Sequence, residues 1–416
     1  MLNKERHYAI LTYLNRYERA TVSHLAKIFG VTRETIRSDL NILTKEGGVE
    51  RCHGGALIKR RIFHTQSVNN LDSNIIHFFE SAQSKKTAKS RHKGRKMKGK
   101  VCILGSFNVD IIANVDRFPQ SGESIFSENT IIGPGGKGAN QALAVSKCNV
   151  KTHFVGKVGN DQFSQMAYEH LTSSAINSFM LYQDKEKKTG TALIYVCQGD
   201  GENMIAISPG ANQSITADEV EAIIPELKNS DIFLTQLENN LPATFRAIEL
   251  ARVCGIKVVL NPAPFSSEVA SCLKNVDFLT PNETEASLLS GIAITDMASA
   301  KVAAKAIKAK GVGCVIITMG AKGALIYDGE QFIHIPALKA LCVDTTGAGD
   351  AFNGAFTASM AKGESIVQAA KFACAFASLA VEKEGASNMP EYKDVLTRLA
   401  QYENIALHTE KTNTAI

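Results

Sequence analysis

Tryptophan is absent from this sequence of 416 residues, no two of its nine cysteines form a C-x-x-C pair, and no apolar run is long enough to cross a bilayer. The cysteines (Cys52, Cys102, Cys148, Cys197, Cys254, Cys272, Cys314, Cys342 and Cys374) are scattered, several inside apolar runs such as Val101-Cys102-Ile103-Leu104. That is the usage of small buried hydrophobes in a reducing compartment, and it argues against a disulfide framework or a zinc site. The longest uncharged apolar run, Phe372 to Val381, falls well short of the roughly 20 residues of a membrane span. Lys4, Glu5 and Arg6 are followed by no sustained apolar segment, so no secretory signal is visible. A soluble, cytoplasmic protein with no membrane partner is expected. With 44% hydrophobic residues a sizeable core can be buried, and length alone suggests two or three domains.

Acidic residues are scarce at the front. Residues 1–100 hold 21 Lys and Arg against 8 Asp and Glu, a net +13; of the chain's 46 and 41 this leaves 25 against 33, a net −8, for 101–416. A basic front joined to an acidic body is the charge pattern of a nucleic-acid-binding module attached to something else. Ser81 to Lys100 carries nine basic residues and no acid. Such a stretch buries too little surface to offset its ordering entropy, so a flexible tether is expected. A short apolar patch, Asn74-Ile75-Ile76-His77-Phe78-Phe79, interrupts the region as a candidate docking segment. The division that follows is a DNA-binding domain at 1–60, a basic linker at 61–99, a body at 100–404 and a C-terminal tail at 405–416.

Three helices and a hairpin are expected in the front domain. Tyr8, Ile10, Leu11 and Leu14 recur at helical spacing. Thr21 to Phe29 forms a short amphipathic helix stopped by Gly30, and Thr32 caps a third helix from Arg33 to Leu43. Ile36, Leu40 and Leu43 share its packing face, which leaves Arg33, Thr35, Arg37 and Ser38 outward for a major groove. The stretch Thr35-Ile36-Arg37-Ser38-Asp39-Leu40 and the wing His53-Gly54-Gly55-Ala56 resemble the DeoR family of regulators. The resemblance implies duplex DNA as a partner. The family usually has a second arginine at Ser38, so one phosphate contact is missing here.

In the body, Asp344-Thr345-Thr346-Gly347-Ala348-Gly349-Asp350 precedes an apolar helical run. Its glycines let successive amides point at one spot, an anion hole at a helix N-terminus. Asp350 stands at its mouth, placed to take a proton from a hydroxyl, which is the core of a phosphoryl-transfer site. Short apolar runs (Val101–Leu104, Val258–Leu260, Phe278–Leu279, Val315–Thr318) alternate with helical stretches at Lys137–Lys147, Leu241–Val253, Ala298–Lys310 and Ser365–Glu382. That alternation predicts an α/β fold with a mostly parallel sheet and ligands at its carboxyl ends. Ser124–Ile132 and Thr191–Val196 read as antiparallel strands of a small accessory sheet, a lid that excludes water.

The remaining motifs fall at strand ends. Asn108 and Asp110 follow the first strand, where they could hydrogen-bond a polyol, and Gly135-Gly136-Lys137-Gly138-Ala139-Asn140 leads into a helix. Glu238 ends another strand, Asn261-Pro262-Ala263-Pro264 the next, and Asn282-Glu283-Thr284-Glu285 the one after. Asn282 and Glu285, one turn apart, could face one Mg²⁺–phosphate group. Thr318-Met319-Gly320-Ala321-Lys322-Gly323 is a glycine turn suited to a nucleotide.

In order and along its whole length the body resembles the ribokinases, within the PfkB-type carbohydrate kinases. The resemblance implies a three-layer α/β/α sandwich with a β-sheet lid, and ATP-dependent phosphorylation of a pentose, with D-ribose to D-ribose 5-phosphate as the expected reaction. It implies Asn108, Asp110, Gly136, Lys137, Gly138, Ala139, Asn140 and Glu238 as sugar contacts. Asn282, Glu285, Thr318 to Gly323 and Cys374 would lie near ATP or Mg²⁺, with Asp350 as base and Gly347, Ala348 and Gly349 as the anion hole. It further implies K⁺ activation through Asp344, Thr346, Ala380, Lys383 and Gly385; the accessory sheet suggests a homodimer. After Gly385-Ala386 the chain has Ser387-Asn388-Met389-Pro390, one residue shorter than the family pattern, which leaves the family's serine ligand open, with Asn388 as the candidate replacement. A sugar-sensing regulator that binds ligand without turnover is the alternative.

Overall fold

The computed structural model describes residues 6–7, 10, 13–14, 19–45, 49–52, 54–58, 75–78, 99–197, 203–405 and 407–411. The chain divides into two compact units, Met1–Ser73 and Asn74–Ile416.

In the first unit the helix Val22–Phe29 starts where the Thr21 hydroxyl accepts the His24 amide and ends at Gly30 in the left-handed region. The next helix, Arg33–Lys45, is capped by Thr32, whose Oγ1 accepts the Thr35 amide at 3.2 Å. Ile36, Leu40 and Leu43 are buried against Ile10, Leu14, Val22 and Leu25. Tyr8, Leu11 and His53 lie outside the described residues. Val49–Cys52 and Gly55–Ile58 form the antiparallel wing, and Arg19–Thr21 adds a third strand beside Gly55–Ile58. One contact left no periodic trace in the sequence: Arg6 donates to Asp39 at 2.6 and 3.1 Å, and His7 Nε2 lies 2.8 Å from the same carboxylate. This buried cluster fastens the start of the unit to the helix Arg33–Lys45.

The second unit is a three-layer α/β/α sandwich around an eleven-stranded sheet. Its strand order is His408–Lys411, Gln331–Ile335, Ala324–Tyr327, Cys314–Thr318, Phe278–Leu279, Lys257–Leu260, Ile232–Thr235, Lys100–Leu104, Lys151–Gly159, Ser178–Asp184 and Ile75–Phe78. From Cys314–Thr318 to Ser178–Asp184 every pairing is parallel, and the strands outside that run pair antiparallel. Such central strands are covered on both faces and read as near-continuous apolar runs, except Lys151–Gly159, which buries Thr152, His153 and Lys157. One buried cluster joins the sheet to the helices Lys137–Lys147, Ala348–Ala361 and Ile366–Ala380, and a second joins it to Leu241–Val253, Glu283–Ser290 and Met297–Lys308. Among the described residues no helix is long and apolar enough to cross a membrane.

Three sequence expectations change. The accessory sheet has four strands, ordered Asn203–Ser208, Gly190–Cys197, Asn108–Val115 and Asn129–Gly135. Ser124–Glu128 lies outside it, and Gly190–Cys197 runs parallel to Asn108–Val115 instead of antiparallel to the other predicted strand. Asn108 and Asp110 thus sit on a lid strand. The tail expected at 405–416 places His408–Lys411 along Gln331–Ile335, pairing backbone groups that would otherwise form a free edge. Within the linker expected at 61–99, Ile75–Phe78 pairs antiparallel with Ser178–Asp184 at the opposite edge, a use consistent with its Ile-Ile-His-Phe sequence.

Candidate active site

The helix Ala348–Ala361 begins at Gly347, whose φ of +78° only glycine adopts cheaply and whose Cβ would stand 2.7 Å from Ala386 Cα. The Ala348 amide is taken by the Thr345 carbonyl at 3.1 Å. Among the described contacts the Gly349 and Asp350 amides have no partner, so these two are free to meet an anion.

Asp350 is buried on that helix. Asn140 Nδ2 donates to its Oδ2 at 3.3 Å and Gln141 Nε2 to its Oδ1 at 2.9 Å. Both amides come from the helix Lys137–Lys147. That helix starts at Gly136, with φ +93° and a Cβ position 2.7 Å from the Asn108 amide. Its first N–H groups are not spare. Lys137 N donates to Glu238 Oε2 at 3.1 Å, Gly138 N to Ser106 Oγ at 3.2 Å and Ala139 N to the Ser106 carbonyl at 3.0 Å. The Ser106 hydroxyl also donates to Glu238 Oε2. Glu238 therefore caps a helix with one oxygen and keeps Oε1 for a ligand.

Asn108, Asp110 and the lid approach from the other side. Asn212 Nδ2 donates to Asn108 Oδ1 at 2.9 Å, while Asn212 Oδ1 accepts the Phe107 amide at 3.1 Å. Asp110 is pushed up to about 7 by burial first, then by Glu238 and Asp350, with Lys137 opposing. Burial also raises Glu238 and Glu285 above the usual carboxylate range. On Lys137 burial acts downward, but Asp350, Glu238, Glu285 and Asp110 together outweigh it and hold the ammonium charged. One cation thus stands among four carboxyl groups, a surplus of acid that a polyol's hydroxyl donors and a divalent cation would relieve.

A cleft of about 230 Å³ is lined by Lys137, Asn261, Ala263, Thr280, Asn282, Glu285, Thr318, Thr345, Gly347, Gly349, Asp350 and Asn353. It brings Asp350, Gly347 and Gly349 together with the Asn282–Glu285 turn. Asn282 and Glu285 cap each other: the Asn282 amide donates to Glu285 Oε2 at 2.9 Å and the Glu285 amide to Asn282 Oδ1 at 2.8 Å. Among the described residues no three His, Cys, Asp or Glu side chains gather as a metal cage. The arrangement suits Mg²⁺ held by one carboxylate with phosphate oxygens and water. Thr318 reaches the cleft, and Met319 is buried beside the exposed turn Gly320-Ala321-Lys322. Cys374 lies in the core and does not line the cleft; its thiol is pushed up to about 12 by burial.

Asp344 ties two segments together, with Oδ1 accepting the Thr346 amide and Oδ2 the Gly385 amide, both at 2.8 Å. Ala380 accepts the Lys383 amide at 3.2 Å. The Ser387 hydroxyl lies 2.9 Å from the Pro134 carbonyl and 3.1 Å from Asn140 Oδ1, and Asn388 Nδ2 donates to the Glu384 carbonyl. Sequence reasoning missed Ser106, Gln141, Asn212, Gln236 and Asn353 in this site. Ser106, Gln141 and Gln236 carried a positional signal, standing beside Asn108, Asn140 and Glu238.

On the first unit Arg33, Arg37 and Ser38 are exposed, and Arg37 makes a 3.2 Å pair with Glu34. Thr35 is half-buried, its hydroxyl 2.9 Å from that of Thr32.

The model of the pfkB family carbohydrate kinases matches residues 98–393, and that of the DeoR-like helix-turn-helix domain matches residues 6–61. The chain is 38% identical over 303 residues to a ribokinase of Staphylococcus aureus, covering 72% of this chain and 99% of that one. It is 36% identical over 286 residues to a deoxyribokinase of Salmonella typhi, covering 68% and 93%. The structure of Arabidopsis thaliana ribokinase complexed with ribose and ATP matches with a TM-score of 0.65 at 32% identity, over 72% of this chain and 98% of that one.

Proposed function

The chain belongs to the pfkB family of carbohydrate kinases and carries a DeoR-like helix-turn-helix domain, and from that premise we propose that it phosphorylates a pentose, D-ribose first, at the expense of ATP. The observation that carries this reading is the shared cleft of Asp350, Lys137, Gly349, Asn282 and Glu285. Asn108, Asp110, Lys137, Asn140 and Glu238 orient the sugar. Asp350 takes the proton of the primary hydroxyl as its oxygen attacks the γ-phosphorus, and the unpartnered amides of Gly349 and Asp350 meet the developing charge. Catalysis of this kind is mostly positional and electrostatic. Asn282 and Glu285 would hold Mg²⁺, which when bound neutralises phosphate charge; Asp344, with carbonyls of Thr346, Ala380, Lys383 and Gly385, would hold K⁺.

The exposed lid face supports a homodimer. Leu193 and Tyr195, 51% and 41% exposed, share that face with Met204 and Ile132, an apolar patch of the kind a second copy covers. The helix-turn-helix unit, with its outward Arg33 and Arg37, supports duplex DNA as a further partner.

The test is a coupled ADP-release assay of the full chain against D-ribose, 2-deoxyribose and hexoses with Mg²⁺ and K⁺. D-ribose is expected to give the highest kcat/KM, and a site that hydrogen-bonds its 2-hydroxyl would disfavour deoxyribose. Turnover of no sugar would leave a ligand-binding regulator.

A further inference from the structure

We propose that Gln141 is a positioning residue that fixes which Asp350 oxygen receives the proton; this rests on the reading of Asp350 as the base. Gln141 is fully buried, and each polar atom of its amide is engaged. Nε2 donates to Asp350 Oδ1 at 2.9 Å and to Asn261 Oδ1 at 3.1 Å, and Oε1 accepts Gln236 Nε2 at 2.7 Å. A carboxylate only accepts, and Asn261 spends its own NH₂ on the Thr280 carbonyl at 3.1 Å. The Gln141 amide can therefore sit only one way round. That orientation turns the Gln236 NH₂ toward Gln141 and strands Gln236 Oε1, a buried oxygen with no hydrogen-bond partner among the described residues. Reversing both amides would turn two oxygens toward each other at Asp350. The negative charge of Asp350 thus sets the polarity of the whole chain, and the unpaired oxygen is its cost.

The amides come from the ends of the strands Ile232–Thr235 and Lys257–Leu260 and from the helix Lys137–Lys147, so the rigid sheet holds the carboxylate. Oδ1 is anchored. Among the described residues Oδ2 has only the 3.3 Å contact from Asn140, at the long end of hydrogen-bond distances. In the reaction the sugar O–H bond breaks, its proton passes to Oδ2, its electron pair forms the O–P bond, and the bridging pair leaves with ADP. Gln141 touches neither sugar nor nucleotide in this scheme. It acts through Asp350.

A double-mutant cycle on the full chain separates this role from a structural one. Gln141→Met keeps the volume and removes the donor; kcat for D-ribose is expected to fall ~10-fold or more, the scale on which misplaced reacting groups act, with the ribose KM changed by less than about threefold. In an Asp350→Asn background the same substitution should cost nothing further, because the group it positions is gone. If Gln141→Met does not fold, Gln236→Met carries the same comparison, since it frees the Gln141 amide and leaves its donor in place. A Gln141→Met or Gln236→Met loss that is equal in both backgrounds, or normal turnover in folded Gln141→Met, overturns the proposal. Normal turnover in Asp350→Asn alone would instead overturn the base on which it stands.

Discussion

The Asp110 carboxyl, pushed up to about 7 from its ordinary 3.8 by burial and by Glu238 and Asp350, makes stability depend on pH. Its folded-state value lies above its unfolded one, so the folded protein holds a proton that the unfolded chain releases. The associated stability is fully present below about pH 4 and is lost as pH rises through about 7. Asp110→Asn should therefore raise the unfolding temperature at pH 8 and change it little at pH 4. In the wild type the ribose KM should fall between pH 6 and 8 as Asp110 becomes an ionised acceptor, a dependence the variant should lack. An equal stability gain at both pH values would show that burial of Asp110 is not the cause. At this scale the sequence exposed the residues that stand in glycine motifs, because those motifs carry chemistry in their spacing. Asn212 and Asn353 stayed hidden, since their roles exist only through contacts with Asn108 and Thr280 far along the chain.

Elements were legible where a single periodicity ruled them. The apolar strands from Lys100–Leu104 to Cys314–Thr318 and the helices Lys137–Lys147 and Leu241–Val253 follow their patterns closely. Asn108–Val115 did not announce itself, because Ile111-Ile112 breaks the alternation begun at Asn108, Val109 and Asp110, and its middle residues are all half-buried. His408–Lys411 has no apolar residue at all, and only the free edge of Gln331–Ile335 explains it. The Ile75–Phe78 strand offers a direct test at this scale. Replacing 75–78 by a Gly-Ser segment should leave kcat within about twofold, since the site is built elsewhere, while amide exchange along Ser178–Asp184 should rise by ~10-fold or more as the edge opens. Unchanged exchange would mean that this pairing adds no protection.

At the scale of the whole molecule a basic front of +13 precedes a body of −8. The full chain should bind the promoter upstream of its own gene more tightly than scrambled DNA. Affinity for both should fall steeply with salt as Lys and Arg displace counterions. Arg37→Ala should weaken both complexes, because its exposed pair with Glu34 is worth little and readily gives way to a phosphate. A lid-mediated dimer would present two front units and so favour paired half-sites. Equal binding to every sequence, with and without ribose or ribose 5-phosphate, would reduce the front unit to a basic appendage.

The most direct measurement is D-ribose turnover by the full chain and its Asp350→Asn variant in the coupled assay, with ribose binding followed by calorimetry on the same samples. Wild-type turnover is expected, with a loss of ~10²-fold or more in the variant, the usual range for removal of a general base, and ribose binding retained. Near-normal turnover in Asp350→Asn would contradict the assignment of the base and of the cleft built around it.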